Sequence, residues 1–216
     1  MKNRPLLLAA LCAAAAVVSR ANDCALIQLS IGKEKALQQF AFELHEGDAP
    51  MTVENFKKLA RKGFYNGCEV HRIFPDLLVQ MGDPLSRKRN RHTVGTGGPG
   101  YSLPPEIRRK HTTGAVAAAR LPDKLNPTRL SNGSQFFVCL APMPSYDGQY
   151  TVFGTVVSGL DALTALSNRP ADSNDYPVER IRIRSVKIMP REQLPAAPKS
   201  AAPSGQQTKR WWQIFG

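Results

Sequence analysis

From Cys24 the chain alternates apolar and polar side chains in CALIQLSIG, and after the short turn Gly32-Lys33-Glu34 it does so again in ALQQFAFEL from Ala36. This period of two predicts a first β-hairpin. The period then changes. In APMTVENFKKLARKG, Val53, Phe56, Leu59 and Ala60 share one helical face, with Pro50 at the start and Gly63 just past the end. That asymmetry predicts a helix. Short apolar runs around Cys68 to Phe74, Leu77 to Met81, Ala115 to Ala119 and Phe136 to Leu140 predict further strands, separated by loops rich in Gly, Pro and Asn. GQYTVFGTVV from Gly148 predicts another strand and SGLDALTALSN from Ser158 a second short helix. PVERIRIRSVKI, in which Val178, Ile181, Ile183 and Val186 alternate imperfectly with charges, predicts a closing strand with one polar face. Many strands with only two helices point to an all-β barrel or sandwich.

Both ends depart from this pattern. Lys2 and Arg4 precede an apolar stretch from Pro5 to Val18, followed by the small-x-small site Ser19-Arg20-Ala21. The pattern predicts a signal peptide over residues 1–21, cleaved after Ala21. Its apolar stretch is shorter than the roughly 17–25 residues a spanning helix needs, so no stable membrane insertion is expected after cleavage. Export follows as an expectation, to a bacterial periplasm first, with secretion or a secretory lumen second. A foldable domain is expected over 22–190. From 191 to 216 the chain is rich in Pro, Ala, Ser, Lys and Gln and is expected to be disordered. Its last residues, KRWWQIFG, break that pattern and could engage a partner, touch a membrane interface or fold back on the domain.

Composition narrows the chemistry. The formal net charge is +12, a balance that favours acidic partners without bearing on fold. The run SRKRNRHT, residues 86–93, reads as a solvated surface loop or as a basic rim beside a binding site. No recognised module surrounds these charges, and nucleic acid is not expected as a partner. The mature chain would keep Cys24, Cys68 and Cys139, an odd number, so one thiol must stay unbonded; whether Cys24 and Cys68 pair is open. No metal-ligand spacing joins the cysteines or His45, His71, His92 and His111.

The most informative stretch is VHRIFPDLLVQMGD, residues 70–83. A histidine and an arginine precede large apolar residues, and Gln80 closes the run. With the later blocks GTGGPGY, KHTTGAVAAAR, NGSQFFV and DGQYTVFG, it resembles in order the successive signatures of the cyclophilins, a family of peptidyl-prolyl cis-trans isomerases. The resemblance runs from Cys24 to Pro190. It implies a closed eight-stranded antiparallel β-barrel capped by two short α-helices, monomeric and needing no cofactor, that acts on proline-containing polypeptides.

The resemblance also assigns roles. Arg72 is expected as the catalytic cation, with Gln80 as its orienting amide and a substrate hydrogen-bond donor. Phe137 is expected to floor a proline pocket walled by Leu77 and Leu78, while Phe136 points into the core. Gly95, Gln135 and the backbone of Ala119 and Arg120 are expected to line the groove for residues before proline. Tyr146 and Tyr150 stand where the family has leucine and histidine, and Leu77 and Leu78 where it has phenylalanine and methionine. A tryptophan associated with tight cyclosporin binding is replaced near Ser145, so weak drug sensitivity is expected. His71 matches a family histidine and is expected to be a satisfied structural ring. These substitutions leave a second possibility open, a chaperone-like module that binds proline segments with little or no turnover.

Overall fold

The structure, a computed structural model, describes residues 23–34, 36–88 and 91–196. The expected leader, part of the basic 86–93 loop and the tail from residue 197 lie outside the described residues.

The first hairpin forms as β1 (Asp23–Ile31) and β2 (Gln38–Leu44), paired antiparallel with Ile27 opposite Phe40. α1 (Pro50–Arg61) follows, burying Val53, Phe56, Leu59 and Ala60. Its N-cap, Ala49, has no side chain able to accept the first free N–H groups. The carboxylate of Glu106, from a distant loop, accepts the backbone N–H of Met51 (3.0 Å) and Thr52 (2.8 Å) and the Thr52 hydroxyl (2.7 Å). A negative group here satisfies orphan donors and faces the positive end of the helix dipole.

The remaining strands are β3 (Arg72–Phe74), β4 (Leu78–Met81), β5 (Ala115–Ala118), β6 (Phe136–Cys139), β7 (Val152–Ser158) and β8 (Ile181–Pro190), with α2 (Leu160–Ser167) between the last two. They form one antiparallel sheet in the order β3-β4-β6-β5-β7-β2-β1-β8. Alternation along each strand sends side chains to opposite faces. The inner face meets α1 in the main core, where Phe42, Phe56, Tyr65, Phe136 and Phe153 pack ring against ring. A second, smaller apolar cluster lies on the outer face of β4, β5 and β6, built on Leu78, Ala117, Phe137, Cys139 and Val152.

Among the described residues there are therefore eight antiparallel strands and two α-helices, but the ladder does not run all the way round. Its ends, β3 and β8, are not neighbours in the sheet. The strand expected from Cys68 begins only at Arg72, and the irregular segment before it makes the seam. Gly67 N–H donates to Ile183 O, Ile183 N–H to Cys68 O and Val70 N–H to Ile181 O, each at 2.8 Å. The fully buried Glu69 carboxylate reinforces this seam, accepting from Tyr176 Oη (2.6 Å), Arg180 (3.0 Å) and Arg182 (3.1 Å). A buried carboxylate is tolerable only with such charged and hydroxyl donors.

Cys24, Cys68 and Cys139 are all buried and none forms a disulfide. Burial pushes the Cys68 thiol up to about 11 and that of Cys139 to about 12, so both stay protonated and inert near neutrality. Beyond β8, Arg191–Gln193 makes a 3₁₀ turn, and Arg191 pairs with Glu43 of β2 at 2.5 Å.

Candidate active site

Register places the key side chains in one row. Arg72 on β3 lies opposite Gln80 on β4, Gln80 opposite Phe137 on β6, and Phe137 opposite Ala117 on β5. Residues directly opposite across antiparallel strands share a face, so the cation, the amide and the aromatic ring stand side by side on the outer surface. They open onto a groove of ≈ 1030 Å³, lined also by Leu78, Gly95, Ala119, Arg120, Tyr146 and Tyr150.

Three rings surround Phe137. Tyr146 and Tyr150 meet it edge-on at centroid distances of 5.9 and 5.5 Å, and His111 lies nearly parallel to it at 6.2 Å. The His111 backbone N–H and ring Nδ1 both meet Asp147, at 2.7 and 3.1 Å. Burial nevertheless holds its pKa below the ordinary histidine value against the pull of that carboxylate, which favours the neutral ring. The result is a concave apolar patch around Phe137 inside a groove whose other side carries charged and polar groups, among them Arg72, Arg91, Asp172 and Asp175.

The opposite wall is the loop after β4, organised by the buried carboxylate of Asp83. It accepts the N–H groups of Leu85 (2.7 Å), Gly95 (2.5 Å) and Gly97 (3.2 Å). Gly95 has φ +94°, and a Cβ on Gly97 would fall 2.2 Å from that carboxylate, so the loop's path needs glycine at both positions. Gln135, almost wholly buried, ties this loop to the row. Its Nε2 donates to Gly95 O (2.9 Å) and Gly97 O (2.8 Å), while its Oε1 accepts from Gln80 Nε2 (3.1 Å).

Residues 26–188 match the family model described as "Cyclophilin type peptidyl-prolyl cis-trans isomerase/CLD". The chain belongs to this family. Among curated relatives, peptidyl-prolyl cis-trans isomerase CYP18-2 of Arabidopsis thaliana is 33% identical over 158 residues, 72% of this chain and 91% of the relative. The ppi1 isomerase of Schizosaccharomyces pombe is 38% identical over 73% of this chain and 93% of its own. A crystal structure of a Cryptosporidium parvum cyclophilin, determined in the presence of the dipeptide Ala-Pro, superposes with a TM-score of 0.65 at 27% identity, covering 77% of this chain and 98% of that one. This cyclophilin is accordingly a peptidyl-prolyl cis-trans isomerase.

Most of the residues expected in a cyclophilin site converge on the groove, but four differ in role. Gln80 faces Arg72 across the strand pair, yet its amide donates to Gln135. The groups that touch the Arg72 guanidinium are the Phe74 ring, 4.6 Å below it, and the Asp175 carboxylate, 3.5 Å from Nε. Leu77 is absent from the groove lining and sits in the β3–β4 turn, 38% exposed. With Leu78 opposite Phe74 and sharing the face of Arg72 and Gln80, the pleat puts its neighbour out of phase. Gln135 lies beneath the groove and positions its wall. Arg120 lines it with more than backbone. Its guanidinium stacks 4.6 Å over Tyr150 and bonds to Gln149 O (2.8 Å), Leu121 O (2.9 Å) and Asp123 (2.5 Å).

Several groove residues escaped sequence reasoning, among them Asp172, Asp175 and Tyr176, whereas Arg91 belongs to the basic run read either as a solvated loop or as a rim beside the site. Asp175 carried no local signal, because its partner is a strand far back in the chain. His71 is buried, with the Glu69 backbone and the Gln135 side chain beside its ring. Burial lowers its pKa as it does that of His111.

Proposed function

We propose that this cyclophilin accelerates X-Pro rotation in exported polypeptides by presenting the Arg72 guanidinium to the prolyl nitrogen while the ring sits on Phe137. The observation that carries this reading is the row Arg72–Gln80–Phe137 across three adjacent strands, open to the groove.

The barrier to rotation, about 18–20 kcal/mol, comes from conjugation of nitrogen with carbonyl. As the bond twists, conjugation is lost and the nitrogen lone pair becomes an acceptor. A guanidinium that donates to it binds the transition state more strongly than the ground state, which is what lowers a barrier. A charge-assisted hydrogen bond contributes about 1.5–3 kcal/mol. No covalent bond forms or breaks, so the site needs no nucleophile.

In this reading Leu78, Tyr146 and Tyr150 wall the proline ring, and Gln80 has an amide proton left for the substrate. The residues before proline lie along Gly95, Ala119 and Arg120. Ala119 N–H and O are already engaged with Gln135 and Asn132, whereas the backbone N–H and carbonyl of Arg120 have no hydrogen-bond partner among the described residues. Arg120 is thus the backbone position able to pair with an extended peptide. Export rests on the leader pattern of residues 1–21 and is checked by whether the mature chain begins at Asn22.

Exchange NMR on a short Ala-Pro peptide tests the reading. Catalysis predicts cis–trans exchange accelerated at substoichiometric protein. Peptide binding without acceleration would instead make the chain a holding module for proline segments.

A further inference from the structure

The loop between α2 and β8 lines the groove beside Arg72, although the chemistry above makes no use of it. Asp172 builds the loop. Its side chain accepts the N–H groups of Asn174 (2.9 Å) and Tyr176 (3.1 Å), and its carbonyl accepts that of Asp175 (3.1 Å). Two further anchors fix the loop to its surroundings. Asp175 O accepts the N–H of Ile73, the residue after Arg72, at 2.9 Å. Tyr176 Oη donates to the buried Glu69 at 2.6 Å, and the Tyr176 ring is covered at 3.8 Å by Arg91, which also pairs with Asp172 at 3.7 Å. Asp175 itself has φ +62°, a left-handed conformation that side chains other than Gly, Asn and Asp adopt at a cost. The loop therefore delivers one carboxylate to a defined place, 3.5 Å from Arg72 Nε.

Resting on the reading of Arg72 given above, we propose that Asp175 is a positioning residue for the catalytic guanidinium. Arg72 is about half exposed and would otherwise sample many rotamers. The Phe74 ring supports its flat face, Asp175 lies nearest Nε, and no hydrogen bond engages the Nη groups among the described residues, so they can still donate. A donor held in place before the lone pair appears has no reorganisation left to make in the transition state. Asp175 touches no substrate atom in this scheme, and its effect should fall on turnover while binding is spared.

The test is a double-mutant cycle on the full chain, measuring kcat and KM with an Ala-Pro peptide for wild type, Arg72→Ala, Asp175→Asn and the pair. Asparagine tolerates the left-handed backbone, so Asp175→Asn removes the charge and keeps the loop, as an unchanged melting temperature would verify. Asp175→Asn should lower kcat about three- to ten-fold with KM within about two-fold, and should cause no further loss in the Arg72→Ala background. Raising salt should reproduce part of that loss in wild type and none of it in Asp175→Asn, since a half-exposed pair is screened. Wild-type kcat in Asp175→Asn, or an equal loss with Arg72 already removed, overturns the proposal and leaves the role of Arg72 standing. Wild-type kcat in Arg72→Ala overturns that role and this proposal with it.

Discussion

A cation standing in water gains little from charge alone, because its field is screened; its effect depends on the direction in which it is held. Arg72 meets that condition through Phe74 below it and Asp175 beside it. In the proposed site Phe137 would seat the proline ring on its apolar face, and three rings pack around it. Replacing it by leucine keeps most of the volume and loses the face. Phe137→Leu should raise the Kd for an Ala-Pro peptide about three- to ten-fold at nearly unchanged stability, read by titration and thermal unfolding. Unchanged affinity would show that the proline ring does not sit there. Arg72, Gln80 and Phe137 were legible in the sequence because each belongs to a short run with a distinctive neighbourhood. Phe74 and His111 lie inside such runs too, but their roles depend on which face the pleat gives them. Asp175 was not legible at all, since its meaning comes from pairing with a strand distant in sequence.

Among the elements, helix α1 shows how much of local structure is settled from outside. Pro50 and Gly63 mark its ends in the sequence, yet Ala49 cannot cap it, and Glu106 supplies the acceptor from another part of the chain. Glu106→Ala should therefore destabilise the fold by roughly 2 kcal/mol, measured by denaturant unfolding, since it removes a buried charged acceptor and a helix cap together. A change under about 0.5 kcal/mol would mean that water replaces the carboxylate without loss. The loop after β4 follows the same logic. Asp83 gathers three N–H groups, and Gln135 fastens the loop to Gln80, so one wall of the groove is built from a fixed network. Alternation and short apolar runs predicted each strand along the chain but not the order of the strands in the sheet. The pattern overran at Cys68, where apolar character continues but the backbone bonds to β8 irregularly before β3 begins.

For the molecule as a whole, two apolar layers share one sheet, a core inside and a smaller cluster under the groove outside, and the seam at Glu69 joins the sheet's ends without a regular ladder. The family resemblance implied a closed barrel; strand pairing in the structure gives a curled sheet with an irregular join. Buried histidines link this architecture to pH. Burial depresses the pKa of both His71 and His111, so the unfolded chain takes up protons that the folded chain refuses. Stability should be insensitive to these groups well above the unfolded value of about 6.5, and should fall as pH drops below it. Melting temperatures at about pH 7.5 and about pH 5 check this, with a smaller drop expected in a His71→Gln, His111→Gln double variant; an equal drop would place the acid sensitivity elsewhere. The central claim concerns the cation, and the most direct measurement is the split between turnover and binding in Arg72→Ala. The expected result is a loss of about 10- to 150-fold in kcat, equivalent to one charged hydrogen bond, with peptide affinity nearly unchanged. Turnover that survives the substitution, or falls only in step with weaker binding, would contradict the account.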